Sequence, residues 1–262
     1  MTRAAIHRLL IAGLLLLLSP KTYAQNETPS KEQTIQIGSV SVTLPEPTLS
    51  GETDEPQAVI ESIIGGLSYR QFARDSVVAP VRIRLQYIKD GEGERVGQLV
   101  HVAMIAHVDM ETLQSDSMMR RLFADSDTAE AESLSETELS SRGIDDASGD
   151  VQYHPVNFKL LDKVKLEGVI RVESTSSAER QRLDFRVDER FENRWQTEQA
   201  DGEYRGFHGW LHTAQIEGGV VFIEARLAFA EPTSWFRGSN FLRSKLPLAL
   251  QESAREFRRR LK

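Results

Sequence analysis

Six histidines, many carboxylates and no cysteine bound the chemistry open to this 262-residue chain. His208 and His212 stand four apart, the spacing at which two histidines on one helical face share a zinc ion. The alternation around them reads as a strand, however, and four strand residues span roughly 13 Å, so the rings share a face but not an ion. His101 and His107 meet the same objection, and no metal set is assigned. Carboxylates recur in groups: Asp162 with Glu167, Asp184 with Asp188 and Glu189, Glu224 with Glu231. Acid–base work by such a pair requires convergence on one cleft and a shifted pKa. The ordinary place for a charged strand residue is the solvated surface. Glu224 departs from that pattern, because it lies among Phe222, Ile223, Ala225 and Leu227 and can share a side with Phe222.

The sequence holds no Gly-x-Ser-x-Gly elbow, phosphate-cradling glycine loop or dinucleotide fingerprint, so no catalytic residue and no cofactor is assigned. A hydrolase or cyclase using Glu224 or a nearby histidine is the enzymatic reading, and it has no motif behind it. The lack of cysteine removes thiolate nucleophiles, disulfides, cysteine-ligated metals and a lipoprotein anchor together. What the second half does concentrate is aromatic surface: Trp195, Phe207, Trp210, Trp235, Phe236 and Phe241. Large aromatics pack cores, and they also line sites for apolar ligands. Phe207, Trp210, Glu224, Trp235 and Phe236 are the candidate ligand-binding residues, with the loop around Trp235 the better placed, since loops held by a rigid scaffold carry function.

The elements that position these residues follow from periodicity. Ile35 to Leu44 alternates with a phase slip at Gly38, as a bulged strand or short hairpin does, and Pro45 and Pro47 end it. Residues 55–64 suit a helix capped by Asp54 and stopped by Gly65-Gly66, and 72–78 reads as extended. Val81–Ile88 and Val96–Val108 form a hairpin across Asp90-Gly91-Glu92-Gly93, and Asp109 caps a helix running to about Phe123. Further strands are expected near 157–174, 181–189, 204–216 and 219–230, the last two joined by Glu217-Gly218-Gly219. The chain closes on an amphipathic helix with Leu242, Leu246, Ala249, Leu250, Ser253, Phe257 and Leu261 on one face; Pro247 belongs in a first turn, which puts the regular helix near Ser244.

Residues 1–24 read as a cleavable export signal: Arg3 and Arg8, an apolar run from Leu9 to Leu18, then Thr22-Tyr23-Ala24 before Gln25. That run is too short for a membrane span of roughly 20 residues. The expected address is therefore periplasmic or extracellular. A segment over 25–67 with a short strand and helix precedes a main α+β domain over 68–262, into which an acidic stretch at 125–150 is inserted. The net charge of −7 argues against nucleic acid as a partner. Charge is uneven, with nine acidic residues against one basic over 125–150 and eight basic against two acidic over 233–262. The basic helix face, Arg255, Arg258, Arg259 and Lys262, can meet an anionic membrane surface, pair with the acidic stretch, or be the wet side of a docked helix.

Strands followed by a closing C-terminal helix resemble the helix-grip fold of the START-like superfamily, which includes polyketide cyclases and lipid-transfer domains. The resemblance is one of topology over roughly residues 68–262. The segments Phe229-Ala230-Glu231-Pro232, Trp235-Phe236-Arg237-Gly238-Ser239-Asn240 and Leu242-Arg243-Ser244-Lys245-Leu246-Pro247 are also similar to the ends of an uncharacterised family of exported bacterial proteins. The first resemblance implies a curved antiparallel sheet of about six strands packed against a long C-terminal amphipathic helix, with an apolar small molecule or lipid held between them. The expected function is that of an exported, non-catalytic binding domain; the alternative is an envelope protein-interaction or structural module.

Overall fold

The computed structural model describes residues 33–115, 133–145, 150–232, 234–236 and 240–262. The expected signal peptide, the helix beyond residue 115, and residues 125–132 and 146–149 of the acidic stretch lie outside the described residues.

The chain opens with a hairpin, β1 (Gln33–Ile37) and β2 (Val40–Leu44), turned at Gly38 with a φ of 60°. Helix α1 (Pro56–Ile64) follows, stopped by left-handed Gly65. Asp54 does not cap it: Glu55 is the N-cap, without a side-chain hydrogen bond, and Pro56 opens the first turn. The stretch expected to be extended from Phe72 is instead entered by a helical turn, α2 (Tyr69–Phe72). Ser68 and Gln71 form a capping box there, which outweighs the weak extended pattern.

The main sheet has nine strands among the described residues, more than the six expected, and every pairing is antiparallel. The strands are β3 (Arg82–Lys89), β4 (Arg95–Ala106), β5 (Val151–Leu160), β6 (Val164–Ser176), β7 (Arg180–Val187), β8 (Arg194–Gln196), β9 (Asp201–Glu203), β10 (Phe207–Glu217) and β11 (Val220–Ala230). Their order runs β3-β4-β11-β10-β7-β6, with β5 on the far edge of β6 and β8-β9 continuing the edge that β7 leaves free. One expected strand, 157–174, is two. The chain reverses at Leu161-Asp162, both at positive φ (51° and 57°), and Lys163 N–H donates to the Leu160 carbonyl at 3.1 Å. This is the backbone of a tight hairpin turn, usually signalled by Asn-Gly, written here without a glycine.

Short helices α3 (Met110–Leu113) and α4 (Glu136–Ser140) lie between β4 and β5. Asp109 is the N-cap of α3 but makes no side-chain cap bond. In α4, Ser135 and Glu138 form a capping box, and Leu139 is buried with Ile144, Tyr153, Val169 and Phe191. Part of the acidic insertion is thus folded onto the sheet.

Helix α5 (Phe241–Leu261) spans the apolar face of the sheet. It begins at Phe241 and not near Ser244, which leaves Pro247 inside it. An internal proline costs about 3 kcal/mol. Burial of Leu242 and Leu246 in the core keeps this first stretch helical, because each fully buried leucine contributes about 2 kcal/mol. Arg258 also departs from expectation: it is buried, not on the wet face, and its guanidinium donates to the carbonyls of Ile105 (3.0 Å), Ala79 (2.7 Å) and Pro80 (3.2 Å). It is therefore unable to reach a membrane surface. Arg255 and Arg259 pair with Glu252 and Glu256 of the same helix, and Lys262 with Asp75.

The molecule is thus three layers. Helix α5 covers one face of the sheet, and the hairpin β1-β2 with α1 and α2 covers the other.

Candidate functional site

Strand alternation divides the candidate residues between the two faces. In β11, Val221, Ile223, Ala225, Leu227 and Phe229 join the core under α5, while Phe222, Glu224 and Ala228 face the N-terminal segment. In β10, Phe207 and Leu211 lie on the α5 side and Trp210 on the opposite one. The five expected ligand-binding residues therefore do not converge. Phe207, Trp235 and Phe236 belong to the face gripped by α5; Trp210 and Glu224 lie beneath the N-terminal segment.

On the helix side most of the lining from β4 across to β6 is apolar, and Phe185 and Phe207 pack with ring centroids 5.5 Å apart. Gly209 makes room for them: a Cβ there would lie 2.7 Å from the Phe185 ring. Where α5 begins, the lining becomes aromatic. Trp235 stacks on Tyr204 at 5.4 Å, meets Trp195 edge-on at 6.1 Å and Phe236 at 6.4 Å, and Phe236 stacks on Phe241 at 5.6 Å. Tyr204 donates its hydroxyl to the Gly206 carbonyl at 3.2 Å, and burial pushes its phenol up, so it stays neutral. Trp235 is 4% exposed, yet its indole Nε1–H has no acceptor among the described residues. Tyr204 was not singled out in the sequence, since it sits in a polar run between Glu203 and Arg205.

On the opposite side Glu224 has no exposed surface at all. Its carboxylate accepts from Thr48 N–H (2.7 Å), from the Thr48 hydroxyl (2.9 Å) and from His101 Nε2 (2.8 Å), with Arg226 Nε at 3.8 Å. Burial alone would raise this carboxyl, but the bonds from His101 and Thr48 outweigh it and hold the group below its ordinary pKa. Trp210, equally buried, donates its indole N–H to the Pro45 carbonyl at 3.0 Å, with the Arg182 guanidinium 5.9 Å over its ring. Arg182 itself bridges Glu46 and Asp184. These side chains tie residues 45–48 to the sheet; an ionised carboxylate saturated by three donors and closed to solvent has no open position for a substrate. Thr48 could not be found from sequence, because its partner lies 176 residues away.

No protein-family model matches the chain, and no curated protein matches it significantly. The architecture is the one expected, a large antiparallel sheet gripped by a long C-terminal helix. Among solved structures, the chain is similar to the human StarD13 (DLC2) lipid transfer and protein localization domain, with TM-score 0.44 and 11% identity over 69% of this chain and 84% of that one. Human StAR-related lipid transfer protein 5 gives TM-score 0.41 and 8% identity over 68% and 81% of the two chains. Human STARD10 gives 0.37 and 14% over 83% of each.

Proposed function

We propose that this is an exported, non-catalytic domain that binds an apolar or lipid-like ligand between the sheet and helix α5. The observation that carries the reading is the lining of that face. It is mostly apolar across the sheet and ends, where α5 begins, in the stacked group of Trp195, Tyr204, Trp235, Phe236 and Phe241. Such a surface offers burial and dispersion to a ligand, and the buried Glu231 carboxylate at its edge is already met by Arg95 at 2.9 Å and Gln98 at 2.7 Å. Phe207, Trp235 and Phe236 are the ligand-facing members of the sequence-derived set. Export rests on the three-part pattern of residues 1–24.

The test is expression of the full chain in a bacterium, isolation from the exported fraction, native mass spectrometry and extraction of bound lipid. An N-terminus at Gln25 and a co-purifying apolar molecule near one per chain are the expected results. A chain retained inside the cell refutes export. A bare protein mass that also fails to take up the neutral dye Nile red refutes the binding function.

A further inference from the structure

Most of the face under α5 is apolar; apart from Gln98, which pairs with Phe229 and bonds Glu231 at 2.7 Å, three buried polar side chains gather at the end remote from the aromatic group. There three neighbouring residues bury polar atoms that have no hydrogen-bond partner among the described residues: Thr213 Oγ1, Gln181 Oε1 and Ser174 Oγ. The residues are 0%, 4% and 7% exposed. Sheet register brings them together. Thr213 of β10 pairs directly with Gln181 of β7, and Ser174 of β6 pairs with Leu183, two positions along β7 from Gln181 and on the same face. Buried polar atoms are almost always satisfied, and each one left unmatched costs roughly 1–3 kcal/mol. Three on adjacent strands of one face are not a random scatter of such defects.

We infer that Thr213, Gln181 and Ser174 form the binding site for the uncharged, hydrogen-bonding head of an amphiphile, a hydroxyl being the smallest group that fits. This rests on the reading of the α5 face as ligand-binding. The chemistry of the three atoms selects the head. Gln181 Oε1 can only accept, so the ligand must donate; the Thr213 and Ser174 hydroxyls can donate in return, so the ligand must also accept. Among the described residues no charged side chain is seen to pair with the three atoms. Leu183, Val172, Leu211 and Ile223 surround it on the same face, while Arg180 and Arg182, which flank Gln181, turn to the other face and bond Gly51 and Glu46. An ionised head would be taken out of water with nothing to meet it. From Thr213 to Phe207 the strand runs six residues, roughly 20 Å. That length of apolar surface takes the tail.

The test is displacement of Nile red from the purified full chain by 1-tetradecanol, tetradecane and myristate, repeated with Thr213→Val and Ser174→Ala. The wild-type protein is expected to take tetradecanol in preference to myristate. Thr213→Val should weaken tetradecanol roughly 3- to 10-fold, the worth of one hydrogen bond, and leave tetradecane unchanged. Its melting temperature should hold or rise, because an unmatched hydroxyl has gone. Preference for myristate, tetradecanol binding unaltered in both variants, or a lowered melting temperature in both would overturn the head-group site while tetradecane still displaced the dye. If the dye does not bind at all, the ligand-binding reading itself falls and the head-group site with it.

Discussion

On the face covered by the N-terminal segment, the one buried carboxylate is met by three donors, and the adjoining tryptophan has an acceptor for its N–H. On the face covered by α5, the buried tryptophan N–H and the side-chain oxygens of Ser174, Gln181, Thr213 and Gln98 have none among the described residues. Both are faces of one sheet, and both are shut off from solvent. Saturated polar groups specify how two parts of a chain dock, and they leave nothing to offer a third party. Unmatched ones cost stability in the empty protein and recover it when a ligand supplies the missing partner, since anything that binds only the folded state stabilises it. The contrast is one of degree, since His212 Nδ1 and Arg226 Nε on the N-terminal side also lack a hydrogen bond among the described residues; what sets the α5 face apart is that Thr213, Gln181 and Ser174 lie together on adjacent strands.

The contrast is broken first at Glu224. Glu224→Ala leaves the Thr48 amide and hydroxyl and the His101 ring buried without their common acceptor, and should destabilise the protein by about 3 kcal/mol. Chemical denaturation measures this, and limited proteolysis should show residues 45–55 newly cut. Uptake of Nile red by the still-folded fraction should be unchanged, because no part of the α5 face is touched. A smaller loss, about 2 kcal/mol, is expected for Arg258→Met, which fills similar space but abandons three carbonyls at the far end of α5. Arg255→Ala, which removes an exposed pair with Glu252, should cost under about 1 kcal/mol. Equal losses at Arg255 and Arg258 would mean that the basic residues of α5 do not divide into an anchor and a wet face.

The sheet and its closing helix were legible because alternation and the 3.6-residue period are local: Val100, Val102 and Met104 announce their common face, as do Leu242, Leu246 and Leu250. The Leu161-Asp162 turn was not, since positive φ without glycine or asparagine leaves no mark in composition. Arg258 was misplaced because helical phase sets it beside Arg255 and Arg259, while its true partners are backbone carbonyls, which have no residue type to read. The face each candidate residue takes was only partly legible. Aromatic content pointed to Trp235 and Phe236, but alternation alone does not tell which side of a two-sided core a strand residue takes. Trp210 and Glu224 went to the side closed by a segment more than 150 residues earlier in the chain. Ser174, Gln181 and Thr213 are ordinary strand residues in sequence; only register makes them neighbours.

The last effect, read as a slope against pH, tests whether the structural face is also the acid-sensitive one. His212 lies in β10 beside Glu224 and is 4% exposed. Burial pushes its imidazole down from the usual 6.5 to about 4; Glu224 opposes this, and Arg182 and Arg180 add to it. The folded protein therefore keeps His212 neutral between those two values, where the unfolded chain takes up a proton. Stability contributed by the neutral ring is complete above pH 6.5 and is lost as pH falls toward 4, at up to about 1 kcal/mol per pH unit from this one residue. The carboxylate of Glu224, held below its ordinary value, acts in the same direction at the acid end of that window. Denaturation followed from pH 7 to pH 4 should thus show a falling stability whose slope is reduced in His212→Asn. The head-group residues Ser174, Gln181 and Thr213 carry no titratable group, so binding of 1-tetradecanol by the folded protein should stay level over the same range. A binding curve that fell in step with His212 titration would join the two faces and end the division drawn between them.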